Sequence, residues 1–205
     1  MIDAKLLPVQ ARLLAPLAQW LQSRRVCADT LTLLGFGFGV GAAIALGFGW
    51  WSVALALILL NRLFDGLDGA VARLNGPTGR GAFLDIALDF VFYALVPLGF
   101  AVQNPAQNAL PAAVLLAAFI GTGSSFLAFS TIAGQNGFQA KDYPSKGIYY
   151  LGGLTEGFET VALFAAMCLW PKSFPVLAPL FAAACTLTTV LRWWQGWQVF
   201  SDIRK

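Results

Sequence analysis

Residues 61–89 read NRLFDGLDGAVARLNGPTGRGAFLDIALD and contain four aspartates, at positions 65, 68, 85 and 89. The sequence on both sides of them is strongly apolar. A charged side chain at membrane depth costs roughly 2.5–3.5 kcal/mol, and clustered acids also repel one another. Arg62 can pair with one of these acids but cannot neutralise all four. The stretch therefore predicts a functional site in which cations or partners offset the negative charge.

Helical periodicity predicts that the four acids meet. Residues spaced three or four apart share one face of the first helix, and they are Asp65, Asp68, Gly69 and Ala72. The corresponding stripe on the next helix consists of Gly81, Asp85 and Asp89. We expect residues 74–80 to fold the two helices back as an antiparallel pair, with the acidic faces together. The small residues leave room for a flat ligand, and Arg73 and Arg80 lie at the rim, where they can bind phosphate.

The donor set indicates which cation would bind. Carboxylate oxygens without thiol or imidazole suit a hard ion such as Mg²⁺ or Mn²⁺. Because Mg²⁺ usually combines a few carboxylates with substrate phosphate oxygens, the pattern also predicts a phosphorylated substrate. The sequence contains no histidine, which excludes histidine-based catalytic triads and most zinc chemistry.

The composition places the chain in a membrane. Of its 205 residues, 58% are hydrophobic and 11% charged, and the mean hydropathy is +0.70. Soluble domains are about a quarter charged. The net charge of +3, without a basic tract, gives no reason to expect a nucleic-acid partner. We therefore expect an integral, multi-pass membrane protein.

A membrane-spanning helix requires about 20 mostly apolar residues. Six windows qualify, at 30–48, 50–74, 82–102, 110–133, about 150–169 and 174–198. Asp29 and Thr30 are candidate caps for the first window, and the connections are predicted at 102–109, 134–149 and 170–173. The predicted fold is all-α and polytopic, a single domain over 1–205 with a six-helix bundle at 30–198.

Residues 5–22 predict one further helix, which is amphipathic. Its apolar positions recur at helical spacing and are Leu6, Val9, Leu13, Leu17 and Trp20. This pattern fits a helix lying in the membrane interface. It fits equally well a surface helix packed on the protein, and the sequence leaves both interpretations open.

The basic residues predict the orientation of the chain in the membrane. With six spans, one side collects most of them, namely Lys5, Arg12, Arg24, Arg25, Arg73, Arg80, Lys141, Lys146, Arg204 and Lys205. Lys172 stands alone on the opposite side. Positive residues favour the cytoplasmic side. Both termini and the aspartates are therefore expected in the cytoplasm, and the expected location is the bacterial inner membrane.

The aspartate stretch resembles the signature of the CDP-alcohol phosphotransferase (CDP-alcohol phosphatidyltransferase) family, D-x2-D-G-x2-A-R followed by G-x3-D-x3-D. The matching positions are Asp65, Asp68, Gly69, Ala72, Arg73, Gly81, Asp85 and Asp89. The resemblance implies a six-helix membrane fold with an amphipathic N-terminal helix, and a homodimer. It implies transfer of a phosphatidyl group from CDP-diacylglycerol to an alcohol, with release of CMP and with two divalent metal ions.

The resemblance also implies roles for individual residues. The metal ligands would be Asp65, Asp68, Asp85 and Asp89. Asp89 would in addition be the general base on the acceptor hydroxyl. Contacts to the cytidine diphosphate are expected at Gly69, Arg73 and Thr78, together with Asp29 and Thr30.

The acceptor alcohol stays open between glycerol phosphate, inositol phosphate, inositol, serine and others. Glu156 and Glu159 lie where family members that use inositol phosphate carry arginines, which disfavours that acceptor. These glutamates can contact the acceptor, cap a helix or pair with Arg192. The complete set of candidate acceptor residues is Arg80, Lys141, Lys146, Glu156, Glu159 and Arg192.

A small ion or solute transporter is the alternative function, because transporters also place acids inside membrane helices. Transporters usually show paired repeats with broken helices near the membrane midplane. In this sequence the acids cluster at one end of a single helix pair, and no repeat is visible. The pattern therefore favours the enzyme.

Overall fold

The computed structural model describes residues 2–136 and 153–201, with side chains from residue 9 onward. The described residues form helices and contain no strand, which confirms the all-α prediction. The elements are α1 (Ile2–Ser23), α2 (Ala28–Gly47), α3 (Trp51–Asn75), α4 (Gly79–Gln103), α5 (Pro105–Gln135), α6 (Gly157–Leu169), a 3-10 turn (Pro171–Ser173) and α7 (Phe174–Ser201).

Four of the described helices are long and apolar enough to cross a membrane: α2, α4, α5, and α7 with its preceding 3-10 turn. Helix α3 has sufficient length at 25 residues, but from residue 62 onward it carries Arg62, Asp65, Asp68 and Arg73. Helix α6 has only 13 residues. Each of the six predicted windows contains a helix, but only four of these helices meet the criteria for a membrane span.

The connection predicted at 102–109 is wrong, because only Asn104 separates α4 from α5. Asn104 caps α5, since its side chain accepts a hydrogen bond from the backbone N–H of Gln107 at 3.4 Å. Pro105 occupies the first helical position, where its missing N–H is tolerated. The same polar residues that suggest a loop in the sequence therefore begin a helix.

Two predicted helix starts are also wrong. Helix α2 begins at Ala28, so Asp29 and Thr30 lie within its first turn, and its N-cap residue is Cys27. Asp29 still favours the helix, because a carboxylate in the first turn interacts with the positive end of the helix dipole. The fifth window was predicted from about residue 150, but α6 begins at Gly157.

The core lies between the helices of the bundle. Helix α2 packs against α3 and α4, and α5 packs against α4 and α7. The rings of Phe100 and Phe174 stack with centroids 4.4 Å apart, and both side chains are fully buried. A side chain at Gly99 would place its Cβ 2.7 Å from Leu46 Cβ and 2.8 Å from the carbonyl oxygen of Ala43. Glycine therefore allows α4 to approach α2 closely.

Helix α1 confirms the helix predicted at 5–22 and has two apolar faces. One face packs on α3, where Ala18 is buried beside Leu67 and Val71. The other face is exposed and consists of Val9, Leu13, Leu17 and Trp20. The packed face agrees with a surface helix docked on the protein, and the exposed face is available to lipid.

Candidate active site

A short turn between α3 and α4 brings the aspartates together. Gly76 begins it with φ +89°, a backbone conformation that favours glycine. Thr78 ends it as the N-cap of α4, and its hydroxyl accepts a hydrogen bond from the backbone N–H of Gly81 at 3.0 Å. The turn occupies residues 76–78 and returns the chain so that the acidic ends of α3 and α4 face each other.

The two acidic helices bring their carboxylates together without packing closely against each other. Helix α2 packs extensively against both of them, whereas direct backbone contact between α3 and α4 is slight. Glycine makes this possible, because a Cβ at Gly39 would lie 2.7 Å from the ring of Phe92 on α4 and 3.2 Å from Asn61 Nδ2 on α3. Periodicity along a single helix carries no information about this intervening helix.

Three of the four aspartates converge on one point. Asp65, Asp68 and Asp85 each offer a carboxylate oxygen, and these oxygens lie within 4.8 Å of one another. Oxygens on opposite sides of a bound Mg²⁺ are about 4.2 Å apart, so small side-chain movements suffice to enclose an ion. Asp68 is buried, and Thr32 donates a hydrogen bond to its Oδ2 at 2.6 Å. The donor set fits a hard divalent cation, as the sequence predicts.

Asp89 takes part in a different contact. Nη2 of Arg62 lies 2.7 Å from Asp89 Oδ1 in a hydrogen-bonded ion pair, and Nη1 of Arg62 lies 3.7 Å from Asp65 Oδ2. Arg62 therefore pairs with two acids, where the sequence suggests pairing with one. Asp89 lies beside the three-aspartate cluster and forms part of the same wall.

A cavity of about 770 Å³ extends from the α3–α4 turn to α6 and α7, and Asp68, Asp85 and Asp89 line it. Six residues predicted to bind the nucleotide also line it: Asp29, Gly69, Ala72, Arg73, Thr78 and Gly81. A Cβ at Gly69 would have Arg73 Nη1 as its only neighbour within 4 Å among the described residues, at 3.3 Å, so a ligand can approach the backbone there. Thr30 is exposed away from this wall, and Thr32, two residues further along, lines it instead.

The rim of the cavity holds an ion pair between α2 and α4. Nη2 of Arg80 lies 2.5 Å from Asp29 Oδ2, with the arginine side chain 77% exposed. A Cβ at Gly81 would lie 3.2 Å from Asp29 Oδ1 and 3.1 Å from Thr78 Oγ1. The absence of a side chain at Gly81 therefore allows Asp29 to lie close to the start of α4.

The far end of the cavity contains a buried arginine. Arg192 on α7 is only 7% exposed, and its Nη1 donates a hydrogen bond to the carbonyl oxygen of Thr122 on α5 at 3.1 Å. Thr122, Glu156 and Arg192 all line the cavity. These residues are distant in sequence and meet only through the packing of α5, α6 and α7.

The structure confirms one of the roles considered for Glu156 and Glu159, that of capping a helix. Glu156 is the N-cap of α6 and forms a capping box with Glu159, each side chain accepting a hydrogen bond from the other residue's backbone N–H. Oε1 of Glu156 also accepts from the backbone N–H of Gly153 at 3.2 Å. Glu156 lines the cavity, whereas Glu159 lies outside its wall. Lys141 and Lys146, the remaining acceptor candidates, lie outside the described residues.

Sequence reasoning did not assign Thr32 or Asn61 to the site, and it named Arg62 only as a residue that can pair with one aspartate. Thr32 bonds to Asp68, and the Nε of Arg62 donates to Asn61 Oδ1 at 2.7 Å. The available signal was a run of polar residues, Asn61 and Arg62, inside the apolar sequence of 50–74. No comparable signal marks Thr32, whose partner lies on another helix.

Two relatives by sequence cover all or most of the chain. "Inner membrane protein YnjF" of Escherichia coli (strain K12) is 49% identical over 205 residues, 100% of both chains. An uncharacterized protein of Aquifex aeolicus (strain VF5) is 34% identical over 160 residues, covering 78% of this chain and 76% of the relative.

Solved structures of Mycobacterium tuberculosis phosphatidylinositol phosphate synthase (PgsA1) share the fold. The form with CDP-DAG bound has a TM-score of 0.68 at 24% identity and covers 91% of this chain and 94% of the synthase. The form with manganese and citrate has a TM-score of 0.70 at 23% identity, covering 89% and 88%. The family model described as CDP-alcohol phosphatidyltransferase matches residues 25–194. The chain therefore belongs to the CDP-alcohol phosphatidyltransferase family.

Proposed function

We propose that the protein transfers a phosphatidyl group from CDP-diacylglycerol to an alcohol and releases CMP. One observation carries the proposal: the oxygens of Asp65, Asp68 and Asp85 converge within 4.8 Å beside a cavity large enough for a nucleotide. Family membership supports the reaction class. The synthase of the same fold has been solved with CDP-DAG, which supports this donor.

The metal site would consist of the four aspartates. Asp65, Asp68 and Asp85 would hold one divalent ion, Mg²⁺ or Mn²⁺, and Asp89 would contribute to a second. Such ions supply positive charge that stabilises the diphosphate and the departing CMP. The manganese complex of the synthase supports a divalent metal.

The nucleotide would bind at the α3–α4 end of the cavity. Gly69, Ala72 and Gly81 leave space for its approach, and Arg73 supplies a cation for the diphosphate. Thr78 and Asp29, at the starts of α4 and α2, line the same end and would contact the cytidine. Thr30 would contribute less, because it is exposed and does not line this wall.

Asp89 would act as the general base. It lies beside the aspartate cluster and lines the same cavity as Arg192. Its carboxylate would accept the proton of the acceptor hydroxyl while the alcohol oxygen bonds to the lipid-linked phosphorus. The bond from that phosphorus to the oxygen of CMP breaks, and CMP leaves with the electron pair.

The acceptor would occupy the end of the cavity near α6 and α7. Arg192 is a fixed, buried cation there and suits an anionic group, and Glu156 suits a hydroxyl or an amine. Arg80 and Glu159, which lie outside this buried end, are the other described candidates, and Lys141 and Lys146 remain candidates from the sequence. A glutamate at this place, where an arginine would favour inositol phosphate, supports a different alcohol as acceptor.

We further propose that the whole chain is one membrane domain with six crossing helices, α2 to α7. The charges of α3 begin at Arg62, and the residues before it carry no charge. The exposed apolar face of α1 would lie in the membrane interface. The positive-inside rule supports cytoplasmic termini and active site, and the name of the relative from Escherichia coli supports the inner membrane. A homodimer is expected from the family.

A thermal shift separates the enzyme from a transporter. We expect saturating CDP with Mn²⁺ to raise the melting temperature of the detergent-purified protein by about 5 °C, because a ligand that binds only the folded state stabilises it. CDP with EDTA should produce almost no shift. Equal shifts with and without metal, or none in either case, would contradict a metal-dependent nucleotide site.

A further inference from the structure

Arg62 lies beside Asp65 and Asp89. It contacts α4 directly and α2 through Asn61. Its Nε donates to Asn61 Oδ1 at 2.7 Å, and Asn61 Nδ2 in turn donates to the carbonyl oxygen of Gly35 on α2 at 2.8 Å. The guanidinium also stacks over the ring of Phe92 on α4, 4.4 Å from its centroid. Three contacts, with Asn61, Phe92 and Asp89, thus fix its position and its plane.

The guanidinium of Arg62 points towards Asp89, Tyr93 and Asp65. Its Nη2 bonds to Asp89 Oδ1 at 2.7 Å, and its Nη1 lies 3.3 Å from the hydroxyl of Tyr93 and 3.7 Å from Asp65 Oδ2. A rigid planar fork of this kind fixes the orientation of a carboxylate, which a flexible ammonium group cannot do. Arg62 therefore determines how Asp89 faces the cavity.

Arg62 also changes the charge that a metal meets. The four aspartates carry four negative charges when ionised, and Arg62 cancels one of them. Because Arg62 is mostly buried, with its side chain 15% exposed, solvent screens this charge only weakly. The attraction of the aspartates for a divalent ion is therefore lower with Arg62 present than without it.

We propose that Arg62 is a positioning residue, which orients Asp89 for the reaction and weakens metal binding by its charge. The proposal rests on the proposed function for its kinetic part, and on the charge arrangement alone for its metal part. It leads to opposite effects of removing Arg62, with tighter metal binding and slower turnover. A purely structural arginine would instead weaken both when replaced.

The test compares Arg62→Met, which keeps the length of the stem over Phe92, with Arg62→Lys, which keeps the charge. Mn²⁺ affinity is measured by electron paramagnetic resonance of the unbound ion, and turnover by CMP release from CDP-diacylglycerol. We expect Arg62→Met to bind Mn²⁺ about tenfold more tightly and to lose about 100-fold in kcat, with a nearly unchanged KM for the donor. Arg62→Lys should restore wild-type Mn²⁺ affinity but only part of kcat.

Arg24→Met is the matched control. Arg24 follows α1 and its guanidinium lies over Trp20, 5.6 Å from the ring centroid, away from the cavity. This variant should leave Mn²⁺ affinity and kcat unchanged. Weaker Mn²⁺ binding in folded Arg62→Met, or a kcat equal to that of the wild type, would overturn the proposal.

The experiment distinguishes a failure of the proposed phosphatidyl transfer from a failure of the role proposed for Arg62. A wild-type protein that releases no CMP with any acceptor would contradict the phosphatidyl transfer, whatever Arg62 does. The Mn²⁺ titration still tests the charge effect in that case, because it requires no turnover. Tighter binding in Arg62→Met would then support the charge effect, and unchanged or weaker binding would overturn it.

Discussion

Replacing Asp68 by asparagine is expected to reduce CMP release by about 10³-fold or more and to remove measurable Mn²⁺ binding at the cluster. Asp68 is buried between Asp65, Asp85 and the hydroxyl of Thr32. Asparagine keeps the shape of the side chain and can still accept the hydrogen bond from Thr32. The lost negative charge is therefore the main change, and it directly weakens the attraction for a divalent ion.

Two measurements check this expectation, CMP release and Mn²⁺ titration by electron paramagnetic resonance. Thr32→Val serves as the matched control, because it removes the hydrogen bond to Asp68 but keeps all four carboxylates. It should cost about tenfold in Mn²⁺ affinity or less. Wild-type Mn²⁺ binding in Asp68→Asn would show that the three-aspartate cluster is not the metal site.

Replacing Asp89 by asparagine is expected to lower kcat by about 10³-fold while Mn²⁺ still binds. Asp65, Asp68 and Asp85, which form the compact cluster, are untouched by this change. Asparagine can still accept a hydrogen bond from Arg62 but cannot take a proton from the acceptor hydroxyl. The contrast with Asp68→Asn is the decisive feature, because Asp68→Asn loses the ion held by the three-aspartate cluster, whereas Asp89→Asn keeps that ion and loses turnover.

CMP release and Mn²⁺ titration measured on the same preparation of Asp89→Asn test this separation. The melting temperature of the variant confirms that it is folded. A kcat within about threefold of the wild type would rule out Asp89 as the general base. Loss of all Mn²⁺ binding would instead make Asp89 an essential ligand of the first ion.

The sequence alone predicted the acidic cluster because the relevant rule is local. Asp65 and Asp68 lie three residues apart on one helix, and Asp85 and Asp89 lie four apart on the next, so helical geometry brings each pair to one face. The turn was predicted at residues 74–80, and the structure places it within that range, at 76–78. These features need no knowledge of the rest of the fold.

Interactions between distant helices could not be predicted in the same way. The positions of Arg62 and Thr32 depend on how closely α2 packs against α3 and α4, and periodicity within one helix says nothing about that distance. Arg192 meets the carbonyl oxygen of Thr122, 70 residues away in the chain, only after α5 and α7 have packed together. Tertiary packing therefore decides the buried end of the cavity.

The predicted helix boundaries were wrong where the same residues are common both in loops and at the start of a helix. Asn104 and Pro105 read as a break in the chain, yet the same pair is a favourable start for a helix. Asp29 and Thr30 read as caps, but α2 begins one residue before Asp29, with Cys27 as its N-cap residue. In both places the chain continues the helix further than the residue preferences indicate.

The most direct test of phosphatidyl transfer is CMP release from CDP-diacylglycerol by the purified protein in mixed micelles. The acceptors are supplied one at a time, among them glycerol phosphate, inositol phosphate, inositol and serine, each with Mg²⁺, Mn²⁺ or EDTA. We predict CMP release with one acceptor only, dependent on metal and lost in Asp89→Asn. CMP release that continues in EDTA, or its absence with every acceptor from a folded protein that binds Mn²⁺, would contradict the proposed function.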